Sequence, residues 1–215
     1  KGLTPISGHD AAAKTELPFV GYDKYPVFSP DGTKIAFRSQ RRAGNEADKE
    51  RLMVWNSETG LVKELTKNFD YNATNVIWDG SEALWFLAPM EATHQLCRVA
   101  YRPELDGKAS HDLLPQVEVL TRGDHDINAV TIEAGRAVAD ICTISHPSEL
   151  FEIGLQDGAI RQITAINKPI LDHIRMGEVQ KRWVETTDGK RMLTWVILPP
   201  DFDPAKKYPL SLIHI

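Results

Sequence analysis

Cysteine is nearly absent: Cys97 and Cys142 are the only two in 215 residues. They stand far apart, with no metal-ligand spacing around them, so neither a disulfide framework nor a metal centre is indicated. Both read as small side chains buried in strands. Long apolar runs are missing as well, and nothing approaches the roughly 18–20 residues that a membrane-spanning helix needs. No charge of one sign dominates. Lys and Arg total 25 against 30 Asp and Glu, a net charge of −5, which gives no ground for nucleic acid or an anionic membrane as partner. No cofactor motif is present and no cofactor is expected.

What is present is a repeated hairpin. Ser29-Pro30-Asp31-Gly32 supplies a turn, Pro presetting φ and Asp-Gly tolerating φ > 0. After it, Ile35 and Phe37 alternate with Lys34, Ala36 and Arg38, the period of a strand with one apolar face. The pattern returns around Asp79-Gly80 and, more weakly, around Ala134-Gly135. Each copy is followed by a second hairpin, at residues 51–60, 95–100 and 149–158. Each unit then closes on one phrase: Glu64-Leu65-Thr66, Val119-Leu120-Thr121 and Gln162-Ile163-Thr164, with a fourth, Gly2-Leu3-Thr4, at the start. The closing threonines are spaced by 62, 55 and 43 residues. Roughly 40–50 residues and four strands per unit is the spacing of β-propeller blades, so the expectation is an all-β fold with about three blades.

In chain order, Ser7 to Tyr25 reads as a connector without strand alternation. The units run from about Pro26 to Lys67, Ala73 to Gly123, and Asp124 to Ala165. A charge-dense run, residues 40–50, separates the hairpins of the first and is helix-compatible after Gly44. Residues 102–115 form a longer insert in the second. Leu171, Ile174 and Arg175 fit a short helical turn. Residues 182–198 read as two strands about Asp188-Gly189. Pro199-Pro200 ends them, and Tyr208-Pro209-Leu210 reads as the start of another strand.

The Ser-Pro-Asp-Gly hairpin followed by Pro199-Pro200-Asp201-Phe202-Asp203-Pro204-Ala205-Lys206-Lys207-Tyr208-Pro209 resembles the prolyl oligopeptidase family of serine peptidases. The resemblance covers nearly the whole chain. It implies a propeller capping an α/β-hydrolase domain, with residues 1–166 the C-terminal part of the propeller and 167–209 a linker and the first strands of a truncated hydrolase. Residues 210–215 read as the translation of a sequencing adapter, and the start at Lys1, without Met or signal peptide, as that of an internal piece. Residues 42–52 look most like the dipeptidyl-peptidase V group, with Asn45 where an aromatic residue is typical.

The resemblance implies an exopeptidase releasing dipeptides from peptide N-termini, with a peptide as partner, a homodimeric parent and a periplasmic or secreted location. Two other readings stay open: a Tol-associated binding propeller, which would lack the Pro-rich linker, and an acylaminoacyl peptidase or endopeptidase of the same family. No catalytic residue is assigned, because no Gly-x-Ser-x-Gly elbow occurs and all seven histidines precede any place for one. Ser110-His111-Asp112 reads as a polar loop. What remains is substrate selection. A dipeptide-releasing enzyme must recognise a free α-ammonium, and a carboxylate on the propeller meets that need. Glu46 is the first candidate and Asp48 the second. Either could instead pair with Arg42, Lys49 or Arg51, and the run is also what a solvated loop looks like. Asn72-Ala73-Thr74 matches a glycosylation sequon, a short and common pattern.

Overall fold

A computed structural model describes residues 6, 9–10, 15–16, 21–42, 44–102 and 115–212. They are almost all β, and no sheet among them closes on itself. Two short strands, β1 (His9–Asp10) and β2 (Thr15–Glu16), pair with each other. Three antiparallel meanders of four strands follow. The first is β3 (Tyr22–Phe28), β4 (Lys34–Gln40), β5 (Arg51–Asn56) and β6 (Val62–Glu64). The second is β7 (Thr74–Asp79), β8 (Ala83–Met90), β9 (Thr93–Ala100) and β10 (Val117–Val119). The third is β11 (Asp126–Glu133), β12 (Arg136–Thr143), β13 (His146–Ile153) and β14 (Ile160–Gln162). A parallel bridge, Asp126 to His94, joins the second and third.

The first turns each hold a glycine at positive φ but differ in length, spanning residues 29–33, 80–82 and 134–135, while the closing phrases fold alike. In the first turn Ser29 Oγ donates to Asp31 Oδ1 at 2.6 Å and accepts the Lys34 N–H at 3.0 Å. Gly32 takes φ 71°. The three closing threonines do one job. Thr66 Oγ1 accepts the Leu52 N–H at 3.0 Å, Thr121 Oγ1 that of Leu96 at 2.9 Å, and Thr164 Oγ1 that of Leu150 at 2.9 Å. The residue before each threonine returns a backbone bond to the same leucine's carbonyl, at 2.8, 2.9 and 2.8 Å. Where the outermost strand leaves the ladder, the hydroxyl therefore replaces the missing backbone acceptor, which a buried N–H requires.

The core is built by stacking these sheets. Side chains alternate across a strand, and β8 sends Leu84, Phe86 and Ala88 into one core and Trp85 and Leu87 into another. The first core is shared with Ala36, Leu52 and Val54 of the first meander. The second is shared with Ile127, Val130, Ala139 and Ile153 of the third. Trp78 pins the first pair of sheets by donating its indole N–H to the Val27 carbonyl at 3.0 Å.

Several expectations change. The one-sided reading of β4 fails because both faces are covered: Ala36 is fully buried and Phe37 nearly so. The connector before Pro26 contains β1, β2 and the start of β3, since Tyr22, Asp23 and Lys24 pair with Gln40, Ser39 and Arg38. Tyr25 sits at φ 56° in the bulge that follows. Residues 44–50 form turns, not a helix. The helical turn is α1 (Lys168–Leu171), led by Pro169, earlier than expected. The Asp188-Gly189 hairpin is present as β15 (Val179–Glu185) and β16 (Arg191–Ile197), a sheet of its own. No strand forms at Tyr208, whose hydroxyl oxygen instead accepts the Asp203 N–H at 3.0 Å within the local loop. Gly2-Leu3-Thr4, most of the 102–115 insert, including Ser110-His111-Asp112, and residues 213–215 lie outside the described residues.

Candidate functional site

Residues 41–50 connect β4 to β5, and their shape is set by one carboxylate. Asp48 accepts the Arg42 N–H at 3.0 Å and Arg42 Nε at 3.1 Å through Oδ2. Through Oδ1 it accepts Arg42 Nη2 at 2.6 Å and Asn45 Nδ2 at 2.7 Å. Gln40 Nε2 closes the ring by donating to the Asp48 carbonyl at 3.0 Å. Four donors on one carboxylate favour its charged form. The Arg42 side chain, first among them, holds Asp48 below the usual carboxylate range, and Asp48 in turn raises Arg42. Gly44, at φ 74°, lets the chain fold back over this pair.

The base of the connection is anchored as firmly. Lys49 Nζ donates to the Thr66 and Phe69 carbonyls, both at 2.8 Å, and burial pushes its ammonium below its ordinary range. Glu50 lies between Lys24 and Arg38, the latter at 3.2 Å. The Glu50 N–H donates to Asn72 Oδ1 at 2.8 Å. The amide of the sequon asparagine is thus already engaged in holding this loop.

Both predicted residues lie on this connection, and they differ. Asp48 is consumed by Arg42 and Asn45. Glu46 is exposed at the turn and has no hydrogen bond or ion pair among the described residues. In the sequence Arg42 is a visible pairing partner for Asp48, whereas Asn45 stands out only as a departure from an aromatic residue; its amide is the fourth donor to Asp48.

The end of the sheets at which this connection lies follows from the pairing. The Glu50 carbonyl accepts the Ala73 N–H at 3.1 Å, so β5 and β7 begin side by side. The His94 N–H donates to the His125 carbonyl at 3.3 Å, so β9 and β11 begin side by side too. The β4–β5 and β8–β9 connections therefore share one end. Glu91, in the β8–β9 turn, meets Lys181 of β15 at 2.5 Å. The β15–β16 hairpin is tied to the end that carries Glu46. At the opposite end, Asn56 Nδ2 donates to the Tyr101 hydroxyl at 3.3 Å. No group of three metal-ligating side chains occurs among the described residues.

No protein-family model matches the chain. A curated relative, dipeptidyl-peptidase 5 of Porphyromonas gingivalis, is 39% identical over 194 residues, which is 90% of this chain and 27% of the relative. Dipeptidyl-peptidase 5 of Porphyromonas endodontalis is 34% identical over 194 residues, 90% of this chain and 26% of that protein. The chain belongs to the prolyl oligopeptidase family. Within it the chain sides with the dipeptidyl-peptidase 5 proteins, and it spans about a quarter of the length of those it matches. Among solved structures, an acylaminoacyl peptidase in complex with Z-Gly-Gly-Phe-chloromethyl ketone superposes with a TM-score of 0.67 at 19% identity. That match covers 91% of this chain and 28% of the other, and it is a likeness of fold. In this family member the 41–50 connection is held by Asn45 and Arg42 around Asp48, leaving Glu46 in solvent.

Proposed function

We propose that this chain is the substrate-selecting part of a serine exopeptidase that releases dipeptides from peptide N-termini. On this reading the three meanders are consecutive propeller blades within residues 1–166. The β15–β16 hairpin opens the α/β-hydrolase domain within 167–209, residues 210–215 stand apart as adapter-derived, and the nucleophile and its base come from outside the chain. The parent protein would act in the periplasm or outside the cell.

One observation carries the proposal: Asp48 neutralises the nearby arginine, so Glu46 keeps an uncompensated carboxylate at the end where the hairpin is tied. An ammonium arriving there finds a carboxylate that has no ion-pair partner among the described residues. Once water is excluded by a covering domain, such a pair orients the substrate by its N-terminus and rejects internal or acylated peptide bonds, which offer no cation.

The test is kinetic, in the full-length protein. Glu46→Gln should leave folding intact and lower kcat/KM for free-amine dipeptidyl substrates by roughly ten- to a hundredfold, about 1.5–3 kcal/mol for one charge-assisted contact. N-acylated counterparts should be indifferent to the change. Equal kinetics for wild type and variant on free-amine substrates would place the amine anchor elsewhere.

A further inference from the structure

A cleft of about 710 Å³ opens between the second and third meanders, at the end of the sheets away from Glu46. Its placement follows from the turns that border it: Asp79 closes β7, and Asp157 stands in the β13–β14 turn. Its walls combine charges of both signs with apolar surface. Arg98 of β9 donates from Nε to Asp79 Oδ2 at 2.8 Å, and its guanidinium carbon stands 5.5 Å from the Trp85 ring centre. That bond uses one edge of the guanidinium. The Nη groups have no hydrogen-bond partner among the described residues. Glu118 lies directly across from Arg98 in the β9–β10 register, exposed and in no ion pair there. Asp157 accepts the Ala159 N–H at 3.0 Å through one carboxylate oxygen, and the other has no hydrogen-bond partner among the described residues. Trp85, 4% exposed, has an indole N–H that is buried without an acceptor, the kind of orphan a ligand oxygen satisfies.

A ligand of one sign does not suit this lining. An anion would meet Glu118 and Asp157, and a cation would meet Arg98. A molecule with a carboxylate at one end, an ammonium at the other and apolar side chains between them matches every wall at once. We propose that the cleft binds a free short peptide as its zwitterion. The carboxylate takes the open edge of Arg98, the ammonium lies between Glu118 and Asp157, and the side chains rest on Leu155. A dipeptide is also the product of the proposed reaction, but binding here does not depend on that reading.

Calorimetric titration of the 215-residue chain with the dipeptide Ala-Phe tests this. Ala-Phe should bind one to one, with N-acetyl-Ala-Phe and Ala-Phe amide each roughly ten- to a hundredfold weaker, since each lacks one charged contact. Arg98→Gln should abolish the preference for Ala-Phe over its amide, and Glu118→Gln should reduce the preference over the acetylated form. Because Arg98→Gln also strips Asp79 of its partner, circular dichroism accompanies each variant. If Arg98→Gln does not fold, the exposed Glu118→Gln carries the test. Equal affinity for the three ligands, or no heat from Ala-Phe, overturns the proposal. Glu46→Gln in the same titration separates the two sites. Its binding should match wild type. If instead Glu46→Gln loses Ala-Phe and Arg98→Gln keeps it, the peptide sits at the 41–50 connection; the cleft proposal then falls and the amine anchor stands.

Discussion

Leu84, Trp85, Phe86 and Leu87 of β8 are each 4% exposed or less, whereas in the third meander Leu150 of β13 is 44% exposed and Ile163 49%. The two meanders share a strand order, a glycine-bearing first turn and a threonine lock. They differ in what lies against them. The second is stacked between the first and the third, and its alternate side chains feed two cores. The third has one face on the second meander. Its other face, among the described residues, carries polar groups in contact with one another: Asn128 Nδ2 donates to Ser148 Oγ at 3.1 Å and to Asp140 Oδ1 at 3.3 Å. Strand pairing and lock are therefore local properties of each unit, and burial belongs to the stack.

The sharpest way to break this comparison is in the cores. Phe86→Ala should cost about 3–5 kcal/mol, the transfer free energy plus an unfilled cavity. Leu150→Ala, already half in water, should cost about 1 kcal/mol or less. Urea unfolding monitored by circular dichroism measures both, and similar losses would mean that the third meander is covered in solution.

Smaller differences should separate the locks. Thr121→Val leaves the buried Leu96 N–H without its acceptor, at a cost of about 1–3 kcal/mol. Thr164→Val exposes the Leu150 N–H at a wetter position, where water can replace the hydroxyl, and about 0.5–1 kcal/mol is expected. Amide hydrogen exchange at Leu96 and Leu150 in the unsubstituted chain should show the same order, with Leu96 the better protected. Equal protection would show that solvent access does not distinguish the two locks.

The smallest effect is a pH dependence confined to the third meander. Glu149 accepts the Thr164 hydroxyl at 2.5 Å, the Asn167 N–H at 2.7 Å and Asn167 Nδ2 at 3.0 Å. These bonds, Thr164 first, hold its carboxyl down at about 2 from an ordinary 4.5. A carboxyl depressed on folding contributes stability above its unfolded value and loses it as pH falls through the folded one. The contribution should therefore be complete above about pH 4.5 and fade toward pH 2, and Glu149→Gln should flatten the urea midpoint over that window. The matching position of the second meander is Gln95, whose Oε1 accepts the Thr121 hydroxyl at 2.9 Å. It does not titrate, so Gln95→Ala should leave the pH dependence in place. A profile unchanged in Glu149→Gln would remove this distinction.

Much of the fold was legible because its signals are local. Glycine turns, period-2 alternation and the closing threonines act over a few residues, and Thr66, Thr121 and Thr164 each close a meander. Errors fell where distant residues decide. The start of β3 at Tyr22 depends on a register with Gln40 that no local pattern encodes. The Tyr208 segment has the residues of a strand and, among the described residues, no neighbouring strand to pair with. The cleft around Arg98 was invisible, because an arginine in a strand that chooses Asp79 over Glu118 looks like any other alternating charge.

By itself the sequence determined the number of hairpin units, the threonines that close them, and a charged connection carrying Glu46 and Asp48. Those depend on side-chain type and short spacings. Only the tertiary structure decided which carboxylate Arg42 takes, which faces of each sheet are covered, and that Glu46 shares an end with the Glu91–Lys181 tie. Alternation tells that successive side chains point apart, but not what waits on either side. An ion pair is chosen by distances of a few ångströms, and the folded turn sets those.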